Sequence, residues 1–153
     1  MGSVYSQQIF GIEKPRVALL NVGEEEGKGN ILAQATYPLL KENKHINFIG
    51  NIEGRDVLLD TADVIVCEGF TGNVILKLAE SLYEVSERQN LKHPYFESFN
   101  FEIYGGTPVL GVAKPVIIGH GISHARAFKN MIILAQKMIE TDVMNKLKLE
   151  LEQ

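Results

Sequence analysis

The stretch Ala62-Asp63-Val64-Ile65-Val66-Cys67-Glu68-Gly69-Phe70-Thr71-Gly72-Asn73-Val74-Ile75-Leu76-Lys77 confines this chain to a narrow set of folds. Val64 to Val66 is a short continuous apolar run, the pattern of a strand covered on both faces in a parallel sheet. Gly69 to Gly72 reads as a glycine-containing turn, and a helical pattern runs from about Asn73 to Arg88, with a core stripe of Ile75, Leu78, Ala79, Leu82 and Val85. A strand feeding through a turn into a helix is half of a parallel crossover, so the chain belongs among α/β folds. The same alternation recurs on both sides. Residues 3 to 10 read as the end of a helix stopped by Gly11, and Arg16 to Val22 as a strand. Ile31, Leu32, Ala35, Leu39 and Leu40 trace a helix that Pro38 should kink or interrupt. Ile46 to Gly50 is a strand, Arg55 to Leu59 a short helical connection, and Asp63 to Cys67 the next strand. A last helix follows Ser123, its expected N-cap, with Phe128, Met131, Ile132, Ala135, Met138 and Ile139 at core spacing. The expectation is a single α/β domain over 1–153, a three-layer Rossmann-like arrangement of a mostly parallel sheet with helices on both faces.

Composition excludes several function classes. With 153 residues, 45% of them hydrophobic and 22% charged, the chain is long and apolar enough for a folded core and is unlike a disordered tail. A net charge of -4 argues against a general nucleic-acid binder, which needs a basic surface for phosphates. The single cysteine, Cys67, cannot form an internal disulfide, and no cluster has zinc-ligand spacing, so a reducing cytoplasmic setting with no metal is expected. No apolar run approaches the roughly 20 residues needed to span a bilayer, which predicts a soluble or peripheral protein.

Chemistry-bearing residues gather at the ends of the predicted strands. Asn73 and Lys77, four residues apart, share one face of the helix near its expected start, where unpaired N–H groups favour a phosphate or carboxylate. The plainer alternative puts Lys77 on a solvated face with Glu80, Ser81 and Glu84. Glu68, at a strand end, is placed as a polar cleft residue. Gly23-Glu24-Glu25-Glu26-Gly27-Lys28-Gly29-Asn30 is one residue short of a Walker loop and lacks its Ser/Thr, which excludes an ATPase. Its alternatives are a cleft loop or a surface loop. His120, in Ile118-Gly119-His120-Gly121-Ile122-Ser123-His124, is a candidate general acid or phosphate donor, or else a structural histidine. Gly121 stands where the glutamate of H-E-x-x-H would be, so zinc hydrolysis is excluded. Cys67 is placed as a small buried hydrophobe, since Glu68 beside it would disfavour a thiolate.

Five segments in order carry a resemblance over nearly all of residues 1 to 140. These are Gly23 to Asn30, Ile46-Asn47-Phe48-Ile49-Gly50-Asn51-Ile52-Glu53-Gly54-Arg55-Asp56, the stretch from Ala62 to Lys77, Tyr104-Gly105-Gly106-Thr107-Pro108-Val109-Leu110-Gly111-Val112, and Pro115-Val116-Ile117-Ile118-Gly119-His120-Gly121. Together they resemble the C-terminal half of the phosphate acyltransferase (PlsX) family of bacterial phospholipid synthesis. The resemblance implies a partial domain of the isocitrate/isopropylmalate dehydrogenase-like architecture. It also implies that a longer parent moves a fatty acyl group from acyl carrier protein to inorganic phosphate, giving acyl phosphate without a cofactor.

On that resemblance Lys77, Asn73 and His120 are the catalytic candidates. Gly72, Thr71, Glu68, Lys28 and Asn30 are the candidates for phosphate or substrate contact. The implied partners are acyl-acyl carrier protein, phosphate and a second copy in a homodimer, with peripheral contact to the inner face of the membrane. Many relatives carry a longer helical hairpin where this chain has an aromatic-rich insertion or loop at 90–104. Tyr95, Phe96, Phe99, Phe101 and Tyr104 there are five of the twelve Phe and Tyr residues. They form a local core, a dimer contact, or an acyl- or membrane-facing surface. Met1 to Ser6 resembles an interior helix of the family, which predicts that this chain is a piece with little activity alone. The competing readings are a phosphate acetyl- or butyryltransferase using acyl-CoA, and a non-catalytic dimerisation or scaffold module.

Overall fold

Three parallel strands, ordered β2-β1-β3, organise residues 1–68 in a computed structural model that describes residues 1–152. The central strand β1 (Arg16–Leu20) pairs with β2 (Asn47–Ile52) on one side and β3 (Val64–Val66) on the other. Its middle residues Val17, Ala18 and Leu19 are buried, as expected of the strand with neighbours on both edges. Burying Val17 and Leu19 contributes about 1.5–3 kcal/mol each. The β3 residues are only half-buried, which corrects the expectation of a strand covered on both faces; β3 is an edge of this sheet.

Register across the sheet is held by chemistry at its ends. The Arg16 guanidinium grips both carboxylate oxygens of Asp63, Nε to Oδ2 at 3.0 Å and Nη2 to Oδ1 at 3.0 Å, while the Arg16 N–H donates to Oδ2 at 2.7 Å. These bonds hold the Asp63 carboxyl below its ordinary pKa. Between β1 and β2 the register shifts at Val17/Ala18: Phe48 faces Val17 and Gly50 faces Ala18, leaving Ile49 as a bulge. Gly50 takes φ +102°, which an L side chain rarely adopts.

Helices flank this sheet. α1 (Gly2–Tyr5) continues into a π-helical turn, Ser6–Phe10, that ends at Gly11 in the left-handed region, the predicted stop. α2 (Ile31–Glu42) runs through Pro38 without the expected break. Its Tyr37 ring packs edge-on to Phe48 at 5.2 Å, whereas Ile31, Leu32 and Leu39, expected in the core, are exposed. A 3-10 helix, Gly54–Leu58, supplies the predicted connection.

From Gly69 the chain forms a second compact unit. It holds α3 (Gly69–Arg88), two short helices α4 (Pro94–Glu97) and α5 (Phe101–Tyr104), strands β4 (Gly106–Val109) and β5 (Val116–Gly119), then α6 (Ala125–Glu140) and α7 (Val143–Leu151). The segment 90–104 therefore holds two short helices. β4 and β5 pair antiparallel, a departure from the expected parallel pattern. Gly105, at φ +85°, lets the chain turn against α6, where a Cβ would meet the Ala127 carbonyl oxygen at 2.8 Å. Ala127, Met138, Val143 and Leu147 form the buried core here. The sequence reading missed α7, although Val143 and Leu147 stand at i,i+4. On α6, Met138 is buried, but Phe128, Ile132 and Ile139 are 57%, 69% and 67% exposed, so half of the expected core stripe faces outward. The expected stripe on α3 is likewise partial, with Leu78 and Val85 exposed.

Candidate functional site

The helix that carries Asn73 and Lys77 begins four residues earlier than its sequence suggests. Gly69 to Gly72 form its first turn and not a separate loop. The start of the helix, where its dipole is felt, therefore lies at Gly69 and not at Asn73. Asn73 and Val74 lie in the second turn, where N–H groups bond carbonyls four residues back. Lys77 stands eight residues from Gly69, about 12 Å along the axis. The helix dipole is spent within about one turn, so any anion held by Lys77 is held by its ammonium. The helix start expected beside Asn73 thus lies four residues earlier.

Lys77, about half exposed, is held between two side chains. Its Nζ lies 2.7 Å from Glu80 Oε2 and 2.9 Å from His120 Nε2. The two readings of Lys77, solvated face and site, meet here: Glu80 is its neighbour, and so is a histidine 43 residues further along. An ammonium only donates, so in this contact a neutral His120 accepts through Nε2, the tautomer with its ring proton on Nδ1. His120 reaches this point because it follows β5 directly, and its N–H donates to Ser123 Oγ at 2.9 Å. Ser123 thus secures the His120 turn and does not cap α6; His124 holds the N-cap position without a side-chain cap. The Phe101 ring lies against the imidazole, centroids 4.7 Å apart and tilted by 32°.

These side chains border a cleft of about 380 Å³. Its lining includes the polar residues Asn73, Lys77, Glu80 and His120 and the apolar or aromatic residues Leu76, Phe99, Phe101, Tyr104 and Ile118. The three catalytic candidates therefore meet in one place. Glu80, placed by the sequence only on a solvated helix face, joins them; its i,i+3 spacing from Lys77 was the available signal. Phe101 was visible only as one of the clustered aromatics.

The remaining candidates are not among the residues that line this cleft. Thr71 and Gly72 sit in the first turn of α3 and do not border that cleft. Asn30 caps α2, its Oδ1 accepting from the Ala33 N–H at 2.8 Å. Lys28 pairs loosely with Glu25 at 3.9 Å, and its carbonyl accepts from Asn21 Nδ2 at 3.0 Å. The loop is anchored from below by buried Asn51, whose Nδ2 donates to the Glu25 carbonyl at 2.8 Å. Glu26 binds Lys41 of α2. Glu68, just past β3, is half-buried. Cys67 is exposed, not buried as expected, and partial desolvation together with Glu68 pushes its thiol pKa up, away from a nucleophilic thiolate. Among the described residues no three His, Cys, Asp or Glu side chains are grouped to hold a metal ion, and no helix is long and apolar enough to cross a membrane.

Residues 1–146 match the family described as fatty acid synthesis protein. Curated relatives named phosphate acyltransferase include that of Dictyoglomus turgidum, 46% identical over 166 residues that take in 96% of this chain and 49% of the relative. The Aquifex aeolicus relative is 47% identical over 166 residues, with 96% and 49% covered, and that of Crocosphaera subtropica 45% identical over 167 residues, with 97% and 48% covered. This chain thus spans about half the length of the relatives it matches. The aligned span also exceeds its 153 residues, so relatives carry residues inside that span which it lacks. On the match to residues 1–146 and these identities, the chain belongs to the phosphate acyltransferase (PlsX) family.

Proposed function

We propose that the full-length parent of this chain transfers a fatty acyl group from acyl carrier protein to inorganic phosphate for phospholipid synthesis. What supports the reading is that Asn73, Lys77 and His120 line one cleft together with Phe99, Phe101 and Tyr104. Phosphate is the nucleophile. One of its oxygens adds to the thioester carbonyl carbon, the tetrahedral oxyanion collapses, and the carbon–sulfur bond breaks. The carrier thiolate leaves and takes up a proton. No enzyme nucleophile is required, in keeping with the raised thiol of Cys67. The work left to the protein is positioning and charge stabilisation. Lys77 and Asn73 hold or polarise the oxygens, His120 orients the ammonium, and the Phe99, Phe101 and Tyr104 wall accepts the acyl chain. Lys28 and Asn30 are secondary contacts, with Glu68, Thr71 and Gly72 completing the substrate set.

On this reading the parent has the dehydrogenase-like α/β architecture, acts in the cytoplasm as a homodimer, and touches the inner face of the membrane peripherally. The 153-residue chain alone turns over weakly or not at all. One assay addresses both points: parent and chain are each given phosphate with long-chain acyl-acyl carrier protein or with acetyl-CoA. The expected outcome is acyl phosphate from the parent with the carrier-bound donor. Preference for acetyl-CoA favours a short-chain acyl-CoA transferase instead, and robust turnover by the chain alone contradicts its status as an incomplete enzyme.

A further inference from the structure

We propose that Glu80 is a positioning residue of this cleft, holding the Lys77 ammonium so that one of its protons is left for an incoming anion. The inference deepens the phosphate-binding role given above and rests on that reading. An ammonium has three protons and no lone pair. One is taken by Glu80 Oε2 at 2.7 Å and one by His120 Nε2 at 2.9 Å, and Lys77 itself borders the cleft. A lysine side chain has four rotatable bonds and is about half exposed here, so without fixed acceptors it would spread over many rotamers.

Glu80 and His120 remove that freedom from different directions. Glu80 is one helical turn along α3, and His120 comes from the end of β5. The two acceptors lie 3.8 Å apart, close enough that both can engage one nitrogen. Glu80 therefore acts through Lys77 and not on the substrate. It also fixes the imidazole: with Lys77 held against Nε2, the ring proton stays on Nδ1.

Two readouts test this. Long-range proton–nitrogen NMR on the 153-residue chain, with its neutral histidines assigned, should place the His120 proton on Nδ1. In Glu80→Ala, where Lys77 is released, a fraction of the molecules should carry it on Nε2, and in Glu80→Gln, which keeps an acceptor oxygen, the wild-type tautomer should persist. In the full-length parent, Glu80→Ala should raise the KM for phosphate roughly three- to tenfold while the KM for the acyl donor holds, with Glu80→Gln in between. A wild-type His120 protonated on Nε2 overturns the proposal without any variant. So does a Glu80→Ala protein with unchanged tautomer or unchanged phosphate KM. If Glu80→Ala does not fold, an unchanged phosphate KM in Glu80→Gln overturns it. If the parent shows no phosphate-dependent transfer, the functional reading has failed, and the tautomer comparison alone decides the role of Glu80.

Discussion

At the scale of single residues, the best-defined interaction in the sheet is the Arg16–Asp63 clamp, and it has a pH signature. Asp63 has its pKa depressed by the Arg16 side-chain bonds first, then by the Arg16 N–H. A carboxyl with a lower pKa folded than unfolded stabilises the fold at pH values above its unfolded pKa. That contribution is lost as pH falls through the ordinary carboxylate value of about 4 and on through the depressed folded one. Asp63→Asn should therefore lower stability at pH 7 and flatten the acid-side decline, measured by urea unfolding across pH 3 to 7. An unchanged acid slope would show that other carboxyls dominate it. Candidate site residues were partly legible at this scale. Lys77 and Asn73 could be paired by i,i+4 spacing, but the bond between Lys77 and His120 spans 43 residues and no local pattern announces it. Asn30, read as a substrate contact, also caps α2 through its Oδ1, a role its place before Ile31 already allowed.

At the scale of elements, apolar runs located β1, β2 and β3 to within a few residues, because burial on a sheet leaves a local trace. Helix starts were harder. Gly69 and Gly72 looked like turn residues, yet they form the opening turn of α3, where glycine is tolerated. The antiparallel β4–β5 pair was hidden by Gly106 and Pro108, which suppress the strand signal. Pro38 left α2 uninterrupted, the helix continuing for four residues beyond it with one backbone donor fewer. The α2 start depends on Asn30: Asn30→Ala should cost about 1 kcal/mol, measured by chemical denaturation. A loss below a few tenths would show that the helix is held by Tyr37 on Phe48 rather than by its cap.

At the scale of the whole molecule, amphipathic spacing on α6 predicted a core stripe, yet Phe128, Ile132 and Ile139 lie exposed. Spacing tells which residues share a face, not whether this chain supplies what covers it. The family, by contrast, was readable early, because five ordered segments constrain identity more tightly than any one of them constrains structure. The central claim is that the Lys77 ammonium, held by Glu80 and His120 at one cleft, stabilises the phosphate and the developing oxyanion. The most direct measurement is phosphate-dependent acyl transfer by the full-length parent carrying Lys77→Ala. A fall in kcat/KM of about two orders of magnitude or more is predicted, with the variant folded by circular dichroism; turnover near the wild-type level would contradict the account.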